Sequence, residues 1–138
     1  MSQVIKAKAA DVRFENVSKI YGKDAVAVGN IDLVVEAGTL VTLLGPSGCG
    51  KTTTLRMIAG LELPTSGKIF VGGDDVTDLP ATQRDIAMVF QSYALFPHMS
   101  VQENIAYGLE NSGMARDEIV ERTASGMHLV GLNGFEKR

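Results

Sequence analysis

Residues 43–60, LLGPSGCGKTTTLRMIAG, place four glycines, a lysine and three consecutive threonines between an apolar run and a helix-like pattern. Within them, Gly45 to Thr52 match G-x-x-x-x-G-K-[ST], which cradles phosphates when it follows a buried strand and opens a helix. The continuously apolar residues 40–44 predict such a strand, covered on both faces as in a parallel sheet. The stretch therefore predicts a phosphate-binding loop. A helix should follow from about residue 51 to Gly60, with Leu55, Ile58 and Ala59 on its buried side.

Each residue type in the loop has a chemical reason to be there. Glycines allow backbone N–H groups to turn toward phosphate oxygens, and the helix N-terminus adds a favourable dipole. Lys51 would reach the β- and γ-phosphates, and the Thr52 hydroxyl would supply a ligand to Mg²⁺. Cys49 is interpreted as a small residue at a permissive position, with a reactive thiol as the alternative. The predicted contacts of a nucleoside triphosphate here are Gly45, Pro46, Ser47, Gly48, Cys49, Gly50, Lys51, Thr52 and Thr53.

The composition is that of an ordinary soluble protein, with 138 residues, 45% hydrophobic and 21% charged, which fits one domain. A net charge of −3 lacks the basic excess that neutralises a nucleic-acid backbone, so nucleic acid is not an expected partner. The single cysteine fits a reducing compartment. No apolar stretch is long enough to span a bilayer, and the N-terminus lacks a secretory pattern. We therefore expect a cytoplasmic location.

Short, mostly antiparallel strands are predicted on both sides of the loop, from alternating or β-branched runs bounded by turn residues. The predicted segments are a strand at residues 12–21, two runs within residues 25–40 broken at Gly29-Asn30 and ended by a turn at residues 36–38, a hairpin at residues 68–76 with Gly72-Gly73 at its tip, and a strand at residues 85–90.

Two helices are predicted in the last third of the chain. Ser100 and Glu103 stand three apart as a capping box that starts the first of them. The second covers about residues 116–129, with Asp117 and Glu118 near its N-terminus, where the helix dipole favours acids. Ser125-Gly126 should weaken its middle. The expected buried faces are Val101, Ile105 and Leu109 on the first helix and Ile119, Thr123, Met127 and Val130 on the second. His98 and His128 are interpreted as loop or surface residues.

Two stretches resemble one known family. GPSGCGKTTTLRMIAGLELPTSGKI, residues 45–69, and RDIAMVFQSYALFPHMSVQENIAYGL, residues 84–109, are similar to the ATP-binding subunits of ATP-binding cassette (ABC) transporters. The likeness is greatest to bacterial importers for sugars, polyamines, iron or phosphonates. It implies an α/β fold, a P-loop NTPase of ABC type, truncated within a nucleotide-binding domain. An antiparallel β subdomain and the P-loop core would fill about residues 10–92, and the start of a helical subdomain about 93–138.

The resemblance also implies roles for residues outside the loop. By residue type alone, Tyr21 is equally a core or edge aromatic or a base-stacking residue, and Gln91 is more often a solvated loop residue than a functional one. The family pattern implies that Tyr21 stacks on adenine with Val26 beside it. It implies that Gln91 reaches Mg²⁺ or the water beyond the γ-phosphate, and that residues 92–98 lie near the surface that meets a transmembrane partner.

The same resemblance implies ATP and Mg²⁺ as cofactors and several protein partners. These are transmembrane permease subunits, a second ATP-binding subunit and, indirectly, a solute-binding protein, with the chain at the inner face of the cell membrane. In the family, hydrolysis needs an apolar strand ending in Asp-Glu, a following histidine and an LSGGQ-like signature, and this sequence contains none of them. Asp117-Glu118 follows GMAR and is not that pair. We therefore expect no catalytic residue in this chain, about half of the family's domain, and ATP binding without efficient hydrolysis.

Two other classes stay open on the residues alone. One is a P-loop kinase that phosphorylates a small molecule, and the other is a nucleotide-binding module without catalysis. Tyr21 and the YALFPH segment at residues 93–98 favour a transporter subunit over a kinase, because a kinase has no evident use for either.

Overall fold

A computed structural model describes residues 9–138 and divides the chain into two compact units, one ending at Met88 and one covering Val89–Arg138. The first unit contains β1 (Val12–Tyr21), β2 (Ala25–Val35), α1 (Lys51–Ile58), β3 (Ser66–Val71), β4 (Asp74–Asp75) and a 3-10 turn (Ala81–Gln83). The second contains α2 (Val101–Asn111) and α3 (Arg116–Leu129). Within residues 9–138, none of the helices is both long and apolar enough to cross a membrane.

The first unit is built on a four-stranded antiparallel sheet in the order β2-β1-β3-β4. The predicted strand at residues 12–21 and the hairpin that turns at Gly72-Gly73 are confirmed. Gly29-Asn30 does not end a strand, as the sequence suggested, but lies inside the continuous strand β2, near irregularities in its pairing with β1. Asn30 has a left-handed backbone with a φ of 45°, which asparagine tolerates, and its N–H donates to Ser18 Oγ at 2.9 Å.

The core of this unit lies between the sheet and α1, where Phe14, Val17 and Ile69 are at most 1% exposed. Helix α1 enters this core with Met57 and Thr54 rather than with the predicted Leu55, which is 47% exposed. The Thr54 hydroxyl donates to the Gly50 carbonyl at 3.0 Å, so that burial leaves no polar group unpaired. The predicted burial of Ala59 is confirmed, and Ile58 is partly buried against the core.

Two predicted strands are wrong: residues 40–44 and 85–90 form no strand. Leu40 is 97% exposed, Leu44 87% and Val89 84%. The apolar pattern of residues 40–44 predicts burial in a parallel sheet, but a strand forms only where a neighbouring strand exchanges hydrogen bonds with it. No strand in the described part of the chain pairs with either segment.

Arg84 fastens the end of α1 to the segment that follows β4. Its side chain is buried, with 6% exposed, and donates to four carbonyl oxygens: Met57 at 2.6 Å, Ile58 and Leu79 at 2.9 Å and Thr77 at 3.2 Å. Burial lowers the pKa of this guanidinium. Two of the acceptors are carbonyls of the last turn of α1, where a cation also meets the negative end of the helix dipole.

The second unit consists of two helices packed through Ala106, Thr123 and Met127. The predicted capping box is confirmed, since Ser100 N donates to Glu103 Oε2 at 2.7 Å and Glu103 N donates to Ser100 Oγ at 3.3 Å. Helix α3 has the predicted bounds and runs unbroken through Ser125-Gly126. Burial of Thr123 and Met127 is confirmed, whereas Val130 is 63% exposed because α3 has already ended at Leu129.

Replacing Arg84 should destabilise the first unit strongly. Arg84→Met leaves four carbonyls without their donor, so we expect a loss of at least about 3 kcal/mol in the free energy of unfolding, measured by urea titration followed by circular dichroism. Arg84→Lys, with a single ammonium, should lose less. Arg56→Met, on the exposed side of α1, should stay within about 0.5 kcal/mol of the wild type. Equal effects at positions 84 and 56 would contradict this account.

Candidate functional site

The turn that opens α1 lies directly against strand β2. Gly50 caps the helix with a left-handed φ of 90°, and a Cβ at this position would collide with the Ala27 carbonyl oxygen and lie 3.1 Å from Val28 Cγ2. Only glycine combines this backbone conformation with so close an approach. The sequence motif therefore fixes the place where the loop touches the sheet.

Lys51 points its ammonium back into the loop. Its Nζ donates to the Gly45 carbonyl at 2.8 Å and the Pro46 carbonyl at 2.7 Å, and it lies 3.3 Å from Cys49 Sγ. Both carbonyls are neutral, and the Lys51 side chain is partly exposed. An anionic oxygen would outcompete them for the ammonium, because it adds the attraction between opposite charges. The loop thus holds an available positive charge at the N-terminus of α1.

A cavity of about 130 Å³ lies in front of this helix N-terminus. It brings together much of the predicted loop and adds one residue that the sequence did not indicate, Ala27 of β2. The Thr52 side chain is at this opening, and its hydroxyl is a hard oxygen ligand of the type that Mg²⁺ prefers. Mg²⁺ usually keeps water and phosphate ligands, so one protein hydroxyl fits its needs. The lining residues are Ala27, Gly48, Gly50, Lys51, Thr52 and Thr53.

Strands β1 and β2 form a hairpin, and Tyr21 and Val26 lie beside the turn that joins the two strands. Tyr21 ends β1 and pairs with Ala25, and Val26 directly precedes the Ala27 that lines the cavity. Both side chains are accessible, with Tyr21 41% and Val26 62% exposed. An exposed apolar residue and an exposed aromatic ring therefore lie on the hairpin whose strand β2 contacts the loop.

Gln91 belongs to the second unit, in a turn at residues 91–94. Two residues of this turn, Tyr93 and Ala94, have left-handed φ values of 59° and 47°. Residues other than glycine, asparagine and aspartate rarely adopt this region, and each costs of the order of 1–2 kcal/mol there. The segment after Gln91 is therefore strained, and the role of Gln91 in a nucleotide site stays a prediction.

Asn104 of α2 holds the next part of that segment, a role that the sequence did not reveal. The two N–H groups of its amide nitrogen are shared among the carbonyls of Phe96, Met99 and Ser100, which lie 3.0–3.1 Å away, and its Oδ1 accepts from Phe96 N at 2.9 Å. The Phe96 ring packs on Tyr107 with 4.6 Å between centroids. Beside them lies an apolar groove of about 400 Å³. Its lining is Leu95, Phe96, Pro97, Met99, Val101, Asn104, Ile105, Leu132 and Arg138.

Residues 28–138 match the family described as ABC transporter. This match covers most of the chain. The chain belongs to the ABC transporter family. The matched residues include the predicted phosphate loop, and the ABC-type fold predicted from the sequence is confirmed.

Curated relatives of this ABC family member carry the name Fe(3+) ions import ATP-binding protein FbpC. The protein of that name from Brucella suis is 63% identical over 131 residues, which is 95% of this chain and 37% of the relative. The one from Agrobacterium fabrum is 58% identical over 135 residues, which is 98% of this chain and 38% of the relative. The chain therefore spans less than two fifths of the length of these relatives.

A solved structure supports the same fold. The dimeric ATP-binding cassette MJ0796, in a post-hydrolysis state bound to ADP and Pi, superposes with a TM-score of 0.80 at 28% identity. The match covers 92% of this ABC chain and 60% of that cassette.

Gly48 and Gly50, two of the three glycines of the loop, should tolerate alanine unequally. Gly48 and Gly50 have φ values of 81° and 90°, but only at Gly50 does a Cβ meet the sheet. Both substitutions incur left-handed strain, and Gly50→Ala adds a clash that typically costs about 1–3 kcal/mol. We expect Gly50→Ala to lower the free energy of unfolding by at least 1 kcal/mol more than Gly48→Ala, by about this overpacking cost, in matched denaturant titrations. Equal losses would contradict the contact with Ala27.

Proposed function

We propose that this chain is the ATP-binding part of an ABC importer subunit and binds MgATP at the loop of residues 45–53. The observation that carries the proposal is the Lys51 ammonium, held at the N-terminus of α1 by two carbonyls that a phosphate would replace. The name of the relatives, which contains ATP-binding and import, supports the same reading. A kinase is not favoured by these comparisons.

The chain's own groups supply each part of phosphate binding. The first backbone N–H groups of α1 have no partner within the helix and lie at its N-terminus, the positive end of the helix dipole, in front of which the cavity lies. Lys51 turns from the carbonyls of Gly45 and Pro46 to the phosphate oxygens, and the Thr52 hydroxyl holds Mg²⁺. The ion, when bound, neutralises charge on the β- and γ-phosphates. For Gln91, the family pattern implies a role at Mg²⁺ or at the water beyond the γ-phosphate, and we include that role in the proposal.

The adenine base stacks on Tyr21, with Val26 packing beside it. Both are exposed at the end of the hairpin whose Ala27 lines the cavity, so one strand pair serves both ends of the nucleotide. Aromatic stacking suits this task because every base offers a π-face, and the ring accepts it with little reorganisation.

Hydrolysis and transport belong in the complete protein. We place this chain at the cytoplasmic face of the membrane, in a pair of ATP-binding subunits joined to transmembrane permease subunits and served by a solute-binding protein. The names of the relatives make ferric ion the proposed solute. Loss of this gene should then reduce uptake of radioactive iron but not of an unrelated solute. Within this chain, we assign the first unit to the β and P-loop core and the second unit to the start of the helical subdomain.

The groove beside Phe96 is the proposed docking site for the permease. Its lining is almost wholly apolar, and Leu95 at its edge is 69% exposed. A short apolar helix of the membrane partner would bury these side chains, at about 25 cal/mol for each Å² removed from water. The proposal adds a geometric reason to the implied role of residues 92–98, since the Asn104 bonds fix the groove's wall.

Nucleotide binding tests the proposed site directly. Lys51→Ala should weaken MgATP binding by at least about tenfold in isothermal titration, because a bond to a charged group contributes about 1.5–3 kcal/mol. Tyr21→Ala should weaken it by about 1 kcal/mol, roughly fivefold, at the low end of the stacking range. Lys23→Ala, an exposed lysine of the hairpin turn, is the control and should bind as the wild type does. Unchanged affinity in Tyr21→Ala would refute the adenine assignment.

Charge in the groove should block docking. Leu95→Glu should abolish co-purification with the permease subunits from detergent-solubilised membranes, because an ionised carboxylate cannot be buried against apolar side chains without a partner. MgATP affinity should not change. Leu129→Glu is the matched control, since Leu129 is 86% exposed in the same unit and does not line the groove. Retained co-purification of Leu95→Glu would rule out this groove as the docking site.

A further inference from the structure

An ion pair joins strand β1 to the segment that follows α1. Lys19 Nζ lies 2.6 Å from Glu62 Oε1 and also donates to the Leu63 carbonyl at 2.8 Å. The two side chains are only 14% and 24% exposed, so this pair is much less screened by solvent than the ion pair of Lys68 and Asp75, whose side chains are 62% and 40% exposed.

The pair lies against Tyr21. Lys19 and Tyr21 are two residues apart on β1 and therefore project from the same face of the sheet. The Lys19 ammonium is 5.0 Å from the centroid of the Tyr21 ring, within range of a cation–π interaction. Hydrogen bonding from Lys19, and less so from the Tyr21 hydroxyl, lowers the pKa of Glu62. The ring is contacted on its face by the Lys19 ammonium, yet 41% of the residue is exposed.

We propose that Lys19 and Glu62 are positioning residues that fix the Tyr21 ring for the adenine base and tie that end of the nucleotide site to helix α1. The inference rests on the proposed role of Tyr21. An aromatic side chain at the end of a strand loses rotamer freedom when a ligand orders it, and a ring that is already fixed avoids much of that cost. Neither residue needs to touch the nucleotide.

The same helix serves both ends of the nucleotide. Lys51 begins α1 at the phosphate loop, and Glu62 lies four residues beyond its last residue, Ile58. Arg84 holds the Met57 and Ile58 carbonyls, so the base of the Glu62 segment is fixed in place. The distance between the ring that stacks and the loop that binds phosphate is thereby set through α1.

Two ligands separate a positioning role from a merely structural one. MgATP carries a base, and inorganic triphosphate with Mg²⁺ does not. Glu62→Gln and Lys19→Met should each weaken MgATP binding by about two- to tenfold while leaving the affinity for triphosphate unchanged, in isothermal titrations of the full chain. Lys19→Arg, which keeps the charge, should restore most of the affinity.

The Tyr21→Ala background supplies a second test. Once the ring is gone, Glu62→Gln should cause no further loss of MgATP affinity, because nothing remains to be positioned. Asp75→Asn is the matched control: it breaks the Lys68 ion pair on the same sheet and should bind both ligands as the wild type does. Circular dichroism of each variant checks that it is folded.

The outcomes distinguish the two proposals. If the wild type binds no MgATP, or if Tyr21→Ala binds it normally, the proposed function at Tyr21 fails and the positioning role fails with it. If Tyr21→Ala weakens binding but Glu62→Gln and Lys19→Met do not, the positioning role alone is wrong. Equal losses for MgATP and triphosphate in these two variants, or a further loss in the Tyr21→Ala background, would also overturn it, because they indicate a general structural effect.

Discussion

The first unit depends on one close approach, that of the Gly50 backbone to the Ala27 carbonyl. It places the N-terminus of α1 against β2, and from there the helix directs Met57 into the core formed by Phe14, Val28 and their neighbours. The same contact sets the predicted phosphate loop against β2, whose partner strand β1 ends at Tyr21. A single glycine position thus joins the packing of the fold to the geometry of the proposed nucleotide site, because this position needs both a left-handed backbone and the absence of a side chain.

Two cations of this unit show how burial decides between a structural and a functional role. Arg84 and Lys51 both donate to backbone carbonyls. Arg84 is 6% exposed and occupies four acceptors, so any change leaves buried carbonyls unpaired. Lys51 is more accessible, lines a cavity and has two carbonyl partners from its own loop. Its bonds can be exchanged for bonds to an anion, whereas those of Arg84 cannot be given up without partly unfolding the end of α1.

Patterns within a few neighbouring residues predicted most of the strands and helices, whereas contacts between residues far apart in the sequence could not be predicted. The alternation at residues 12–21, the capping box at Ser100 and the acidic first turn of α3 are each encoded within a few neighbouring residues, and all three elements formed. The loop motif likewise identified the cavity. The apolar run at residues 40–44 indicated burial, but pairing depends on a strand elsewhere in the chain. Arg84 and Glu62 bond to groups 27 and 43 residues away, so no local pattern marks them.

In the second unit, a strained turn is held in place by a residue of another element, Asn104 of α2. Tyr93 and Ala94 have left-handed backbones just after Gln91. The side chain of Asn104 bonds to the backbone that follows them, at Phe96, Met99 and Ser100. The compensating bonds come from α2, whose start the capping box fixes. Backbone strain of this kind persists only where surrounding contacts over-determine it, and it concentrates at sites that must hold a specific shape. Because Tyr93 and Ala94 directly precede Leu95 and Phe96 in the chain, the strained turn and the wall of the apolar groove form one continuous segment, and the bonds of Asn104 that hold this wall also limit the conformations open to the turn.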